Sequence, residues 1–172
     1  MNPRYHAYAP FYERHLQRFV SMEVVLAEVG ILRGNGLAIW SDLFPNGRIL
    51  GFDIDTSHAQ DNEPFLKSVG AFSNDNVELH TFDQLSSDAE YLEPVLQNTK
   101  INILIDDGLH SPESIIRTFH AFKPYLADDF VYIIEDNPNA LTCLGKDIDG
   151  YASERVDEIS AVFPPEQEGL FS

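Results

Sequence analysis

The chain has 172 residues, enough for one domain with a proper core, and 44% of them are apolar, which suits a soluble globular protein. Its 28 acidic residues outnumber 11 Lys and Arg, and a formal net charge of −17 repels phosphate backbones and anionic lipid surfaces, so neither nucleic acid nor a membrane is expected as a partner. The single cysteine, Cys143, has no partner for an internal disulfide, no run reaches the roughly 18 apolar residues of a membrane span, and the first residues lack a signal-peptide core, so a cytoplasmic location is expected.

In chain order, a mixed aromatic and basic stretch over 10–20 predicts a lead-in helix. Residues 23–30, Glu-Val-Val-Leu-Ala-Glu-Val-Gly, have the apolar character of a buried strand, and Gly30, Gly34 and Gly36 punctuate the turn behind it. A helix over about 37–44 closes at Pro45-Asn46-Gly47, and a second strand covers 48–54. A helix near 58–69 leads to a third strand at 76–82, and a helix near 86–97 leads to a fourth at 101–106. Ser111-Pro112-Glu113 is a helix start, with Ser111 as N-cap and Pro112 in the first helical position. That helix runs to about Tyr125, and a fifth strand follows at 130–135. This alternation with short connections predicts an α/β fold, a doubly wound and mainly parallel sheet with helices on both faces. Beyond Asn137-Pro138-Asn139, residues 151–163 place Val156, Ile159, Val162 and Phe163 at helical spacing, so a helix is expected there. One domain over 1–163 and a flexible tail over 164–172 complete the expected organisation.

Two strand ends carry the chemistry. Residues 101–110, Ile-Asn-Ile-Leu-Ile-Asp-Asp-Gly-Leu-His, run from an apolar strand into two carboxylates, a glycine and a histidine. Phe130-Val-Tyr-Ile-Ile134 likewise runs into Glu135-Asp136. Adjacent strands that end in acid aim carboxylates at one point, a candidate metal or catalytic site with His110 as a candidate base. Open parallel sheets bind ligands beyond the carboxyl ends of their strands where strand order reverses, here between the first and fourth strands. Asp53 ends the second strand, 23 residues after Gly30, where an acid commonly accepts hydrogen bonds from a ribose diol. The spacing Gly30-x3-Gly34-x-Gly36 departs from the dinucleotide Gly-x-Gly-x-x-Gly pattern, which disfavours a nicotinamide-dependent oxidoreductase and favours a nucleoside without pyrophosphate. His15, His58, His80 and His120 have no metal-ligand spacing and read as structural.

Residues 28–36 (Glu-Val-Gly-Ile-Leu-Arg-Gly-Asn-Gly), 51–55 (Gly-Phe-Asp-Ile-Asp), 105–110 (Ile-Asp-Asp-Gly-Leu-His) and 133–136 (Ile-Ile-Glu-Asp), taken in this order, resemble class I S-adenosylmethionine-dependent methyltransferases. The closest group is the metal-dependent O-methyltransferases that modify sugars on macrolide antibiotics. His6-Ala-Tyr8-Ala-Pro10-Phe-Tyr12-Glu-Arg14-His-Leu16 resembles that group's lead-in segment, and the similarity covers roughly 5–136. The resemblance implies a Rossmann-like class I methyltransferase fold, with S-adenosylmethionine and Mg2+ or another divalent cation as cofactors. It implies that Glu28, Gly30 and Gly34 cradle the methionine end of the cofactor, that Asp53 holds the ribose, and that Asp83 sits near the adenine. Asp106 would support the cofactor side or stand behind the residues that touch the ligands, and Tyr8 and Tyr12 would close over the cofactor. Asp107 and Asp136 would be metal ligands, joined by the amide oxygen of Asn137 where the group often has a further acid. Leu109 replaces the group's usual serine.

His110 would be the general base. An aliphatic hydroxyl is a poor nucleophile until its proton is removed, and a divalent ion on its oxygen lowers its pKa. The positive end of the Ser111 helix should keep His110 neutral, as a base requires. The implied acceptor is a small molecule, a sugar or a small polyhydroxylated metabolite. The group's sheet ends in an antiparallel hairpin, yet only 36 residues follow Asp136, so the last antiparallel strands are expected to be lacking. A strand five with an open flank would make a homo-oligomer a possible consequence. The alternative reading is a catalytically silent or truncated module of the same fold that binds the cofactor or a partner.

Overall fold

The strands at the centre of the fold are apolar runs buried on both faces, as a parallel sheet covered by helices on each side requires. The structure, a computed structural model, describes residues 8–165. In chain order its elements are α1 (Ala9–Leu16), β1 (Val25–Val29), α2 (Asn35–Leu43), β2 (Arg48–Asp53), α3 (Ser57–Ser68), β3 (Val77–Thr81) and α4 (Ala89–Leu96). Then come β4 (Ile101–Asp106), α5 (Pro112–Phe122), β5 (Leu126–Ile134), α6 (Ala140–Leu144), β6 (Ala152–Val156) and β7 (Ile159–Phe163). The strands form one seven-stranded sheet in the order β3-β2-β1-β4-β5-β7-β6, parallel through β5 and antiparallel at β7 and β6.

Strand alternation splits the core in two. Ala27, Val29, Leu104 and Tyr132 pack with Leu92, Phe119 and Leu144, which places α4, α5 and α6 on one face. Leu26, Ile103, Ile105 and Val131 pack with Phe11, Leu37, Trp40 and Ala59, which places α1, α2 and α3 on the other. Helix α5 starts where expected: Ser111 and Ser114 form a reciprocal capping box, and Pro112 occupies the first turn.

Two expectations are overturned at the C-terminal end. Residues 151–163 are a β-hairpin, not a helix, and the last antiparallel strands are present. Strand β7 pairs Val162 with Tyr132 and Ser160 with Ile134, and β6 returns along its outer side. Val156, Ile159 and Val162 are β-branched, and burial of Ile159, Ser160, Ala161 and Val162 in sequence removes the alternation that marks a half-buried strand. Val156 pairs with Ile159 across Asp157 and Glu158, so a two-residue turn without glycine reverses the chain. Strand β5 is therefore covered, and the open flank that motivated an oligomer is absent. The expected tail lies outside the described residues from Glu166 onward, as does His6 of the lead-in segment. Among the described residues no helix is long and apolar enough to cross a membrane.

Candidate active site

Three central strands end in register. Val29 of β1 lies opposite Asp106 of β4, and Asp106 lies opposite Ile134 of β5, so the next residues of all three emerge at one edge. Strand order reverses there, between β1 and β4, which opens a crevice. Gly30 leaves β1 with φ of 88°, and a Cβ on it would lie 2.3 Å from the Asp107 carbonyl oxygen. Only glycine lets the two turns approach so closely.

Asp107, His110 and Asp136 converge at this edge. One ligand atom from each lies within 4.8 Å of the other two, and His110 Nε2 is 3.8 Å from Asp107 Oδ1. His110 and Asp136 both adopt left-handed backbone, with φ of 55° and 51°. That conformation is sparsely populated outside glycine, and it persists where surrounding contacts enforce it. Tyr8 and Tyr12, at and within the start of α1, reach across the crevice. The Tyr8 hydroxyl donates to Asp136 Oδ1 at 2.5 Å, and the Tyr12 hydroxyl donates to Glu135 Oε1. Burial, reinforced by these acids, pushes both phenols up.

Two cavities meet at Gly30, Leu32 and Asp107. The first, about 750 Å³, lies between α1 and α2 and is lined by Tyr8, Tyr12, Glu28, Trp40 and Glu135. The second, about 650 Å³, lies over the ends of β2 and β3 and is lined by Asp53, Ile54, Phe82, Asp83, Leu85 and His110. Glu28, only 5% exposed, faces the first cavity, and its Oε2 has no hydrogen-bond partner among the described residues. Burial raises its carboxyl to about 8; the nearby Trp40 indole opposes the rise, and Asp107 and Glu135 add to it. A buried carboxylate of this kind gains most from a cation. A Cβ on Gly36 would lie 2.2 Å from Glu28 Oε1, so the α2 backbone packs directly on that carboxylate.

The acids on the other side are held by their own loops. Asp53 Oδ2 accepts from the Leu32 N–H at 3.0 Å and Oδ1 from the Asp55 N–H at 3.2 Å, which ties the β1 turn to the end of β2. Asp83 accepts from the Leu85 N–H and the Ser86 hydroxyl, and these bonds hold its carboxyl below the usual range.

Residues 27–137 match the family model of a methyltransferase domain. The chain belongs to this methyltransferase family. It is 29% identical over 140 residues to mycinamicin VI 2''-O-methyltransferase of Micromonospora griseorubida, a match that covers 76% of this chain and 31% of that protein. It is 31% identical over 139 residues to demethylmacrocin O-methyltransferase of Streptomyces fradiae, covering 76% of this chain and 32% of that protein. The chain thus spans about a third of the length of these curated relatives. A solved methyltransferase of the mycinamycin biosynthetic pathway, in complex with Mg and SAH, has a TM-score of 0.74 at 23% identity, covering 98% of this chain and 53% of that one. That likeness shows a shared fold.

Four expected site residues of this methyltransferase domain line neither cavity: Gly34, which lines a third cavity with Leu37 and Ala59, Asp136, which joins the site through its cluster with Asp107 and His110, and Asp106 and Asn137. Asp106 is 1% exposed and lines neither cavity; Tyr132 donates to its Oδ2 at 2.9 Å and Gln84 to its Oδ1 at 2.8 Å. Its Oδ1 also accepts from the Gly108 N–H at 3.4 Å, so the carboxylate braces the loop behind the crevice. Asn137 also braces backbone: its Nδ2 donates to the His110 carbonyl at 2.7 Å, and its Oδ1 accepts from the Asn139 N–H at 2.8 Å. Sequence reading missed Gln84, Trp40 and Tyr132, which have no motif; only the Phe82-Asp83-Gln84 segment pointed near one of them.

Proposed function

We propose that this chain is the catalytic domain of an S-adenosylmethionine-dependent O-methyltransferase acting on a hydroxyl of a sugar or small polyhydroxylated metabolite. One observation carries the reading: Glu28, buried with an unpartnered oxygen, lines the same cavity as Asp107, and Asp107 clusters with His110 and Asp136 within reach of one cation. The residues fit the implied ligands. The crevice is rich in acids, and S-adenosylmethionine presents an ammonium and a sulfonium. Carboxylate oxygens are hard donors that suit magnesium or manganese. The names of the relatives support the same class of reaction and acceptor.

When bound, the cofactor supplies an electrophilic methyl group on sulfur, and a divalent ion such as magnesium lowers the pKa of the acceptor hydroxyl. Glu28 takes the ammonium, and Asp53, prearranged by two backbone N–H groups, takes the ribose diol. Gly30 and Gly34 let the cofactor approach the backbone, and Asp83 sits at the adenine end. Asp107 and Asp136 hold the cation, while Asn137 braces their loops. His110 accepts the acceptor proton at its imidazole, and Tyr8 and Tyr12 wall the cavity against water. The reading as a silent module had rested partly on missing strands, and β6 and β7 remove that motive.

Calorimetric titration with S-adenosylhomocysteine, with Asp53→Ala as control, tests the cofactor site. Micromolar binding that is lost in the control is the expected result and leads to an acceptor screen with magnesium. Absence of binding by the folded chain would remove the methyltransferase reading.

A further inference from the structure

The segment that carries Asp107 and His110 does not hold itself in place. Its successive main-chain groups are each fastened by a different part of the chain. The Asp107 N–H donates to the Val29 carbonyl at 2.9 Å, and the Gly108 N–H reaches Asp106 Oδ1 at 3.4 Å. The Leu109 N–H donates to Gln84 Oε1 at 2.7 Å, and the His110 carbonyl accepts from Asn137 at 2.7 Å. Gln84 is the hub. Its Nε2 donates to Asp106 Oδ1 and to Thr118 Oγ1, both at 2.8 Å, while Tyr132 closes the far side of the Asp106 carboxylate. All four side chains are buried. A Cβ on Gly108 would lie 2.2 Å from Gln84 Oε1, so the amide is flush against the loop backbone.

A buried polar group is costly unless its partners are in place, and an apolar side chain could fill the same volume without that cost. What Gln84 supplies that leucine or methionine could not is an acceptor at one fixed point, under the amide that precedes His110. His110 then turns with φ of 55°, which needs contacts from outside the turn. We propose that Gln84, held by Asp106 and Tyr132, is a positioning residue that sets the 107–110 segment so that Asp107 and His110 present their ligand atoms together. The inference rests on the cation site proposed above.

The test titrates Mn2+ into the full chain, following the free-ion electron paramagnetic resonance signal, and S-adenosylhomocysteine by calorimetry. The variants are Gln84→Met, Tyr132→Phe and, as a control for buried polar loss away from the loop, Ser41→Ala, whose hydroxyl donates to Asn76 Oδ1 at 2.6 Å before the start of β3. Gln84→Met should weaken Mn2+ binding by about 10- to 100-fold, the usual effect of removing a group that orients metal ligands, while S-adenosylhomocysteine affinity falls far less. Tyr132→Phe should act in the same direction with a smaller loss, and Ser41→Ala should lower the melting temperature and leave Mn2+ affinity within about twofold of the parent. Unchanged Mn2+ affinity in Gln84→Met, or an equal loss of nucleoside affinity, would overturn the proposal. A parent chain that binds no Mn2+ would overturn the cation site itself. Amide exchange at Leu109 still decides the positioning role in that event: about tenfold faster exchange in Gln84→Met supports it, and an unchanged rate overturns it.

Discussion

The crevice has two sides that treat negative charge in opposite ways. On the β2 and β3 side, Asp53 and Asp83 are exposed enough to stay hydrated and accept hydrogen bonds from their own loops. On the β1 and β5 side, Glu28 is buried with one oxygen unpartnered, and Asp107, Glu135 and Asp136 crowd the same space. Prearranged, satisfied carboxylates suit a neutral diol, which asks only for acceptors at fixed points. Crowded carboxylates repel one another and are relieved by cations. On the function proposed above, the difference would set the uncharged nucleoside over β2 and β3, and the positive charges and a divalent ion over β1, β4 and β5.

The largest effects are expected where the cation side meets the reaction. His110→Ala should lower kcat by about 10²- to 10⁴-fold, the range for loss of a general base, with S-adenosylhomocysteine affinity retained. Asp107→Ala should abolish turnover while leaving nucleoside binding intact, and chelation should do the same to the parent. Methyl incorporation into the acceptor, measured beside calorimetric binding, reads both. Full activity in the presence of a chelator would break the comparison on its metal side. Next in size is Asp53→Ala on the nucleoside side, expected to lose about 1.5–3 kcal/mol of S-adenosylhomocysteine binding, as for hydrogen bonds to a charged group. The same substitution should leave Mn2+ affinity unchanged, and a parallel loss of both would merge the two sides into one.

Glu28 sharpens the comparison through pH. Its folded carboxyl is raised from 4.5 to about 8, so its contribution to the stability of the ligand-free chain is complete below pH 4.5. That contribution is lost as pH rises through about 8, a change on the order of a few kcal/mol. Ligand binding should run the other way, because the cofactor ammonium pairs with ionised Glu28. At pH 7 binding should release about one proton and tighten up to about tenfold per pH unit until pH reaches about 8. Calorimetry in buffers of different ionisation enthalpy reads the release, and Glu28→Gln should remove it. Equal apparent enthalpies in all buffers for the parent would place the ammonium elsewhere.

Much of this arrangement was legible in the sequence because it lies at strand ends. An apolar run that stops at an acid names both the strand and the crevice, and that logic pointed to Asp53, Asp107 and Asp136, whereas Glu28, inside β1, came from the family resemblance alone. Asp106 shows where it runs out. It is adjacent to Asp107 and chemically identical, but one more step along the strand separates a carboxylate inside the sheet from one at its edge. Only the register with Val29 and Ile134 decides which is which. Gln84 and Tyr132 are joined to Asp106 over separations of 22 and 26 residues, with no local pattern to announce them. The C-terminal hairpin was misread for a different reason: β-branched residues three apart satisfy a helical template until pairing with β5 supplies the competing hydrogen bonds.

The smallest expected effect concerns how α1 is fastened over the cation side. Arg14 and His15 both meet Glu154 of β6, and Arg18 donates to the Asp129 carbonyl at 2.8 Å. The hairpin thus anchors the helix whose start brings Tyr8 and Tyr12 to the acids. The Arg14 side chain is 59% exposed, so its ion pair is screened and contributes at most a few tenths of a kcal/mol. Burial of Phe11, Leu16 and Phe19 supplies most of the docking. Arg14→Ala should therefore leave S-adenosylhomocysteine affinity and the melting temperature nearly unchanged, whereas Phe11→Ala should cost about 3–5 kcal/mol of stability. If Arg14→Ala instead weakened nucleoside binding tenfold, α1 would be held by charge, and the hairpin would belong to the cation side of the crevice as directly as the strand ends do.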